Sequence, residues 1–171
     1  MLLAWLVWAV LPLAPARADV VEELEALNAR TNDTVDRAQP IALGDAVLGT
    51  VGVVVGTSFD VDAYVLDVGA GAVLQITLTS TQADLQPFFR VEDGRGSYER
   101  LASAPAPLSA VTRQLYIPRP RSYFSLITDV RNRGPSPALV GGARFTYELR
   151  VERRLPPISP VLAPGLDHRT P

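Results

Sequence analysis

Strict alternation of apolar and polar residues is the feature that most restricts this chain. Ala72, Leu74, Ile76 and Leu78 alternate with Val73, Gln75, Thr77 and Thr79. Later, Ala143, Phe145, Tyr147, Leu149 and Val151 alternate with Arg144, Thr146, Glu148 and Arg150. A period of two sends successive side chains to opposite faces, so each segment predicts a strand with one buried and one wetted face. Five further segments read the same way: Ala46–Val55, Phe59–Val68, Leu85–Glu92, Val111–Ile117 and Tyr123–Val130. Within them Tyr64, Leu66 and Val68 share one face, as do Leu85, Phe89 and Val91, and Pro87 predicts an edge strand or a bulge. Turn chemistry at Gly69-Ala70-Gly71 and at Asp93-Gly94 with Gly96 separates the strands, and Ala102–Pro107 and Asn132–Gly142 read as loops. Seven or so strands with no long helix among them predict an all-β fold, an antiparallel, jelly-roll-like β-sandwich, with a small closed barrel as the competing topology. The chain's 171 residues suffice for one such core.

The two ends differ from this middle. Leu2–Ala14 is an apolar run too short and too Pro-interrupted to span a bilayer comfortably, and Ala16-Arg17-Ala18 fits a small-x-small cleavage site. Residues 1–18 are therefore expected to be a signal peptide, with a retained anchor as the alternative, although no Lys or Arg precedes the run. This implies a secreted or periplasmic protein with no integral membrane span in the mature chain. Asp19–Arg30 reads as a short helix, with Val20, Val21, Leu24 and Leu27 on one stripe and Glu22, Glu23 and Glu25 near its start. The expected organisation is an N-terminal helix and lead-in segment over 19–40, a sandwich over 41–152 and a Pro-rich tail over 153–171.

Composition removes several chemistries. There is no Cys, which excludes disulfides, thiolate zinc sites and thiol catalysis, and the sole histidine, His168, lies in the tail. No G-x-S-x-G, phosphate-binding glycine loop or HExxH is present. All 16 basic residues are Arg, and a net charge of −2 gives no basis for nucleic-acid binding. The charge is nevertheless uneven, with acids concentrated before residue 100 and Arg after it. Arg119, Arg121, Arg131 and Arg133 flank one predicted strand, and together with Tyr116, Tyr123 and Phe124 they form a candidate binding rim. The same residues also suit ion pairing and sheet packing. Asp60 and Asp62, two apart on a strand, would project to one side about 6.5–7 Å from each other. That spacing suits paired acid–base chemistry and equally suits a solvated strand start.

From Arg30 to Val151 the sequence resembles the bacterial pre-peptidase C-terminal domain. The resemblance rests on Asn32-Asp33-Thr34, Pro40-Ile41-Ala42-Leu43-Gly44-Asp45, Gly49-Thr50-Val51, Asp60-Val61-Asp62-Ala63-Tyr64, Val68-Gly69-Ala70-Gly71, Ala83-Asp84-Leu85, Val91-Glu92-Asp93-Gly94 and Phe145–Val151, in that order. The family's Glu and Pro in the first of these segments are Arg30 and Thr31 here. Such domains are non-catalytic β-sandwiches of secreted proteins, and relatives in clostridial collagenases bind collagen and calcium. The resemblance thus implies Asn32, Asp33 and Asp60 as oxygen ligands for Ca²⁺, while a capped turn is the alternative use of Asn32 and Asp33. The function implied is an exported, non-catalytic binding or accessory module that contacts a protein or an extracellular polymer through Arg119, Arg121, Tyr116 and Tyr123. The alternative is a structural or chaperone-like partner of a secreted hydrolase. No cofactor other than Ca²⁺ is implied.

Overall fold

The computed structural model describes residues 19–24, 31–53, 56, 58–95, 98–103, 106, 108–133 and 135–154. The expected signal peptide, residues 25–30 of the expected helix, and residues 155–171 of the expected tail lie outside them. Ten strands form in chain order: β1 (Val20–Glu22), β2 (Gln39–Pro40), β3 (Ala46–Thr50), β4 (Asp62–Val68), β5 (Val73–Ser80), β6 (Pro87–Glu92), β7 (Tyr98–Ser103), β8 (Ala110–Tyr116), β9 (Arg121–Asp129) and β10 (Thr146–Arg154). They make two five-stranded sheets. One runs β1-β3-β10-β5-β8 and the other β2-β4-β9-β6-β7.

The core between the sheets is set by strand parity. On β5 and β10 the buried apolar residues are Leu74, Ile76, Leu78, Tyr147, Leu149 and Val151, the apolar half of each alternation. The facing sheet contributes Tyr64, Leu66 and Val68 from β4, Phe89 and Val91 from β6, and Tyr123 and Ile127 from β9. Each such side chain contributes about 1.5–3 kcal/mol by leaving water. This burial is what fixes the register, because a one-residue slip would turn every apolar group outward.

Four expectations fail locally. Val20–Glu22 is a strand rather than the start of a helix, because its backbone pairs in parallel with Ala46–Leu48 of β3. A twelve-residue helix would be marginal alone, and the open edge of β3 offers the β-branched pair Val20-Val21 a ready hydrogen-bonding partner. A second short lead-in strand, β2, pairs in parallel with β4, so the sandwich is not purely antiparallel. Pro87 does not mark an edge: β6 lies between β9 and β7, and the proline occupies its first residue, where a missing N–H costs least. Its outer neighbour β7 was expected in part to be loop. Tyr-Glu-Arg-Leu-Ala-Ser has little intrinsic strand preference, and pairing with β6 across a register shift at Val91/Glu92 imposes the conformation.

One glycine is required by packing. Gly49 on β3 lies over the Tyr147 side chain, and a methyl group there would overlap its hydroxyl and ring. Tyr147 is buried and hydrogen-bonded at its tip, so it has no room to retreat. Gly49→Ala is therefore expected to destabilise the fold by about 1–3 kcal/mol, as overpacked cores do, measured as a lower midpoint in urea at unchanged slope.

Candidate functional site

Two sites emerge, one buried and one at the surface. The buried one begins with the period of β4. Parity that turns Tyr64, Leu66 and Val68 inward turns Asp62 inward too, and Asp60 and Asp62 are only 1% and 0% exposed. They are not a solvated strand start, and neither carboxylate can reach a substrate in solution. Tyr147 on the opposite sheet donates its hydroxyl hydrogen to Asp62 Oδ2 at 2.7 Å. Its oxygen also lies 2.7 Å from the Tyr64 hydroxyl, which is left as the donor of that pair. Asp60 accepts from the Gly52 backbone N–H, while its own carbonyl accepts from Thr128 Oγ1 at 2.8 Å.

Glu23, immediately after β1, completes this cluster. It accepts from Thr50 N–H at 2.8 Å and from Asn32 Nδ2 at 3.3 Å, and its carboxyl hydrogen-bonds Asp62. Asn32 in turn accepts from Ala63 N–H through its carbonyl at 2.9 Å. The lead-in segment is thereby tied to both sheets. Burial pushes the Asp62 pKa well up, with the charges of Glu23 and Asp60 adding to it. The same burial, with Asp62 beside them, holds both tyrosines as neutral hydroxyls.

Of the three expected calcium ligands, Asn32 and Asp60 are buried and Asp33 is half-buried. Among the described residues, no three Asp, Glu, His or Cys side chains are grouped as a metal cage. The donor set is nevertheless hard oxygen, and Asp62 Oδ1 accepts no hydrogen bond from the described residues. Burial, with the charges of Glu23 and Asp60, favours the protonated, uncharged form of Asp62. Arg30 lies outside the described residues.

The surface site lies where β9 begins. Arg119, Pro120, Arg121, Ser122 and Phe124 line a hollow of about 490 Å³ together with Asp93 and Arg95 from the turn after β6. A second hollow of about 390 Å³ lies on the other side of Pro120–Ser122 and is bounded by Asp67, Val68 and Gly69. Arg121 is anchored by an ion pair with Asp93. Gly94, at φ +73°, lies against the edge of the Phe124 ring, where any side chain would displace it.

The expected rim is thus divided. Arg119 precedes the nine-residue β9 and Arg121 opens it, whereas Arg131 and Arg133 follow it, about 30 Å of strand away. The second pair is engaged in packing. Arg131 makes a two-point contact with Asp129, donates to the Asp84 carbonyl and covers the Phe145 ring, while Arg133 covers Phe88. The expected aromatic strip is not formed either. Tyr116 is 61% exposed, but Tyr123 is 3% exposed and faces the core, because it shares the inward parity of Ile127. Tyr116 does lie at the same end of the molecule as Arg121. It is aligned with Val73 on β5, just after the turn that follows Val68, and Val68 is aligned with Arg121.

Sequence reasoning found Phe124 but missed Glu23, Tyr147, Asp93 and Arg95 as site residues. The inward parity of β4 was a sufficient signal for burial of Asp62. Nothing local in the sequence places Glu23 beside it.

The chain is similar in structure to the pre-peptidase C-terminal domain of a collagenase from Bacillus anthracis, with a TM-score of 0.48 and 17% identity over 67% of this chain and 94% of that one. No family model and no curated protein matches the sequence. Among the described residues, no helix is long and apolar enough to cross a membrane.

A raised carboxyl pKa means that the folded chain holds a proton which the unfolded chain releases. The corresponding stability is complete below about pH 3.8 and is lost as pH rises through the raised Asp62 pKa. Asp62→Asn, which mimics the protonated carboxyl, is expected to raise the melting temperature at pH 8 and to flatten its decline with pH, as measured by calorimetry across pH 4–9.

Proposed function

We propose that this protein is an exported, non-catalytic β-sandwich module that binds a protein or an extracellular polymer. The observation that carries this reading is the fate of the carboxylates. Asp60 and Asp62, the best candidates for acid–base work, are buried and committed to hydrogen bonds inside the sandwich, with Gly52 and Tyr147. A general acid or base must reach the proton it moves, and neither can. The accessible residues instead offer guanidiniums, an aromatic ring and an exposed tyrosine at one end of the sandwich, groups suited to holding rather than cleaving. Export is supported by the apolar run Leu2–Ala14 followed by Ala16-Arg17-Ala18. The test is co-sedimentation of the mature chain with collagen fibrils and with insoluble polysaccharides, together with assay of the released products. Retention without bond cleavage is expected. Turnover that disappears in Asp62→Asn, or failure to be retained by any polymer, would overturn the reading.

The buried cluster supports a second role within the same module. Ca²⁺ would take the place of the proton that burial favours on Asp62, held by Asn32, Asp33 and Asp60 with Glu23 and Asp62, and would neutralise their charge. A ligand that binds only the folded state raises its stability. Millimolar Ca²⁺ at pH 7.5 is then expected to raise the melting temperature of the wild type relative to EDTA, and to leave Asp62→Asn unchanged. Equal melting temperatures for the wild type in Ca²⁺ and EDTA would remove calcium from the account.

A further inference from the structure

We propose that the groove at the start of β9 is a binding site for a uronate-bearing polysaccharide. The inference rests on the binding-module reading and names the polymer class. Three guanidiniums, those of Arg95, Arg119 and Arg121, line the larger hollow against the single carboxylate of Asp93. Arg121 and Asp93 satisfy each other, which fixes one wall. Among the described residues Arg95 and Arg119 have no ion-pair partner, and both are exposed. The nearby Glu92 is already paired with Arg90 at 3.4 Å. Two positive charges therefore remain for a ligand, on side chains whose planar forks match carboxylates.

Phe124 supplies the second requirement. Its ring lines the same hollow and Gly94 fixes it at one edge, so it presents an apolar surface beside the guanidiniums. A uronate sugar carries a carboxylate on one side of a ring whose C–H face can stack on such an aromatic. The second hollow continues the surface across Pro120–Ser122 toward Asp67, whose carboxylate accepts from the Ser122 hydroxyl and remains available to further sugar hydroxyls. A chain of repeating rings can occupy both hollows.

An acidic peptide fits less well. Extended peptides gain affinity by adding a strand to an open sheet edge. The groove lies across β6 and β9, and each of these is already paired on both sides.

The test is isothermal titration of the intact protein with sodium polygalacturonate, with neutral dextran and poly-glutamate as comparators. Binding to polygalacturonate that weakens with added salt is expected, together with a loss of at least about tenfold in the Arg95→Ala/Arg119→Ala double variant. Both substituted side chains are exposed, so the fold is expected to keep its wild-type melting temperature. The assignment is overturned if poly-glutamate binds as tightly as polygalacturonate, or if the double variant binds like the wild type. It is also overturned if polygalacturonate does not bind while other polymers still retain the protein, an outcome that would leave the broader module reading standing. Absence of binding to every polymer would remove both.

Discussion

The hydrogen-bonded chain from Tyr64 through Tyr147 to Asp62 is the interaction on which the arrangement depends. It crosses the core from one sheet to the other, so its members are held in place only when the two sheets are correctly stacked. Buried polar groups are costly unless every partner is present. The chain therefore penalises alternative registers more sharply than apolar packing does. A β10 shifted by two residues would still bury Leu149 or Val151, but it would strand a hydroxyl and a carboxyl without partners. Gly49 belongs to the same constraint, since only a residue lacking a side chain leaves room for the Tyr147 ring.

Attachment of the lead-in segment depends on the same carboxyl. Three residues of parallel pairing between β1 and β3 would hold poorly alone. Glu23 adds bonds to Thr50, Asn32 and Asp62, and these couple the segment's position to the protonation of the core. At the opposite side of the molecule's chemistry, the ends of β9 have divided their arginines between two tasks. Those after the strand are used internally, on Asp129, Phe145 and Phe88, while those at its start face a groove.

What the sequence disclosed follows from which forces are local. Alternation on β5 and β10 reported burial directly, and parity placed Leu74 through Leu78 and Tyr147 through Val151 correctly inside. Strands without alternation escaped notice. β7 forms because β6 offers it a partner, and β1 forms because β3 has an open edge, neither of which is encoded in the strand's own residues. The sites divide in the same way. Arg119, Arg121 and Phe124 could be read as neighbours along the chain, but Asp93 and Arg95 reach them only through pairing of β6 with β9. Tyr123 was assigned to a surface by its chemistry, although its own strand parity sends it into the core.

The place of β10 in its sheet has a consequence for how the molecule comes into being. This strand, formed by the last described residues, lies between β3 and β5. The sheet cannot close around its centre until the polypeptide has been made as far as Arg154, and its pairings join residues about one hundred positions apart. A chain still being synthesised therefore lacks the piece that would lock it. Such a chain stays pliable while it is being made, and this sheet becomes rigid only once β10 is available to pair with both of its neighbours.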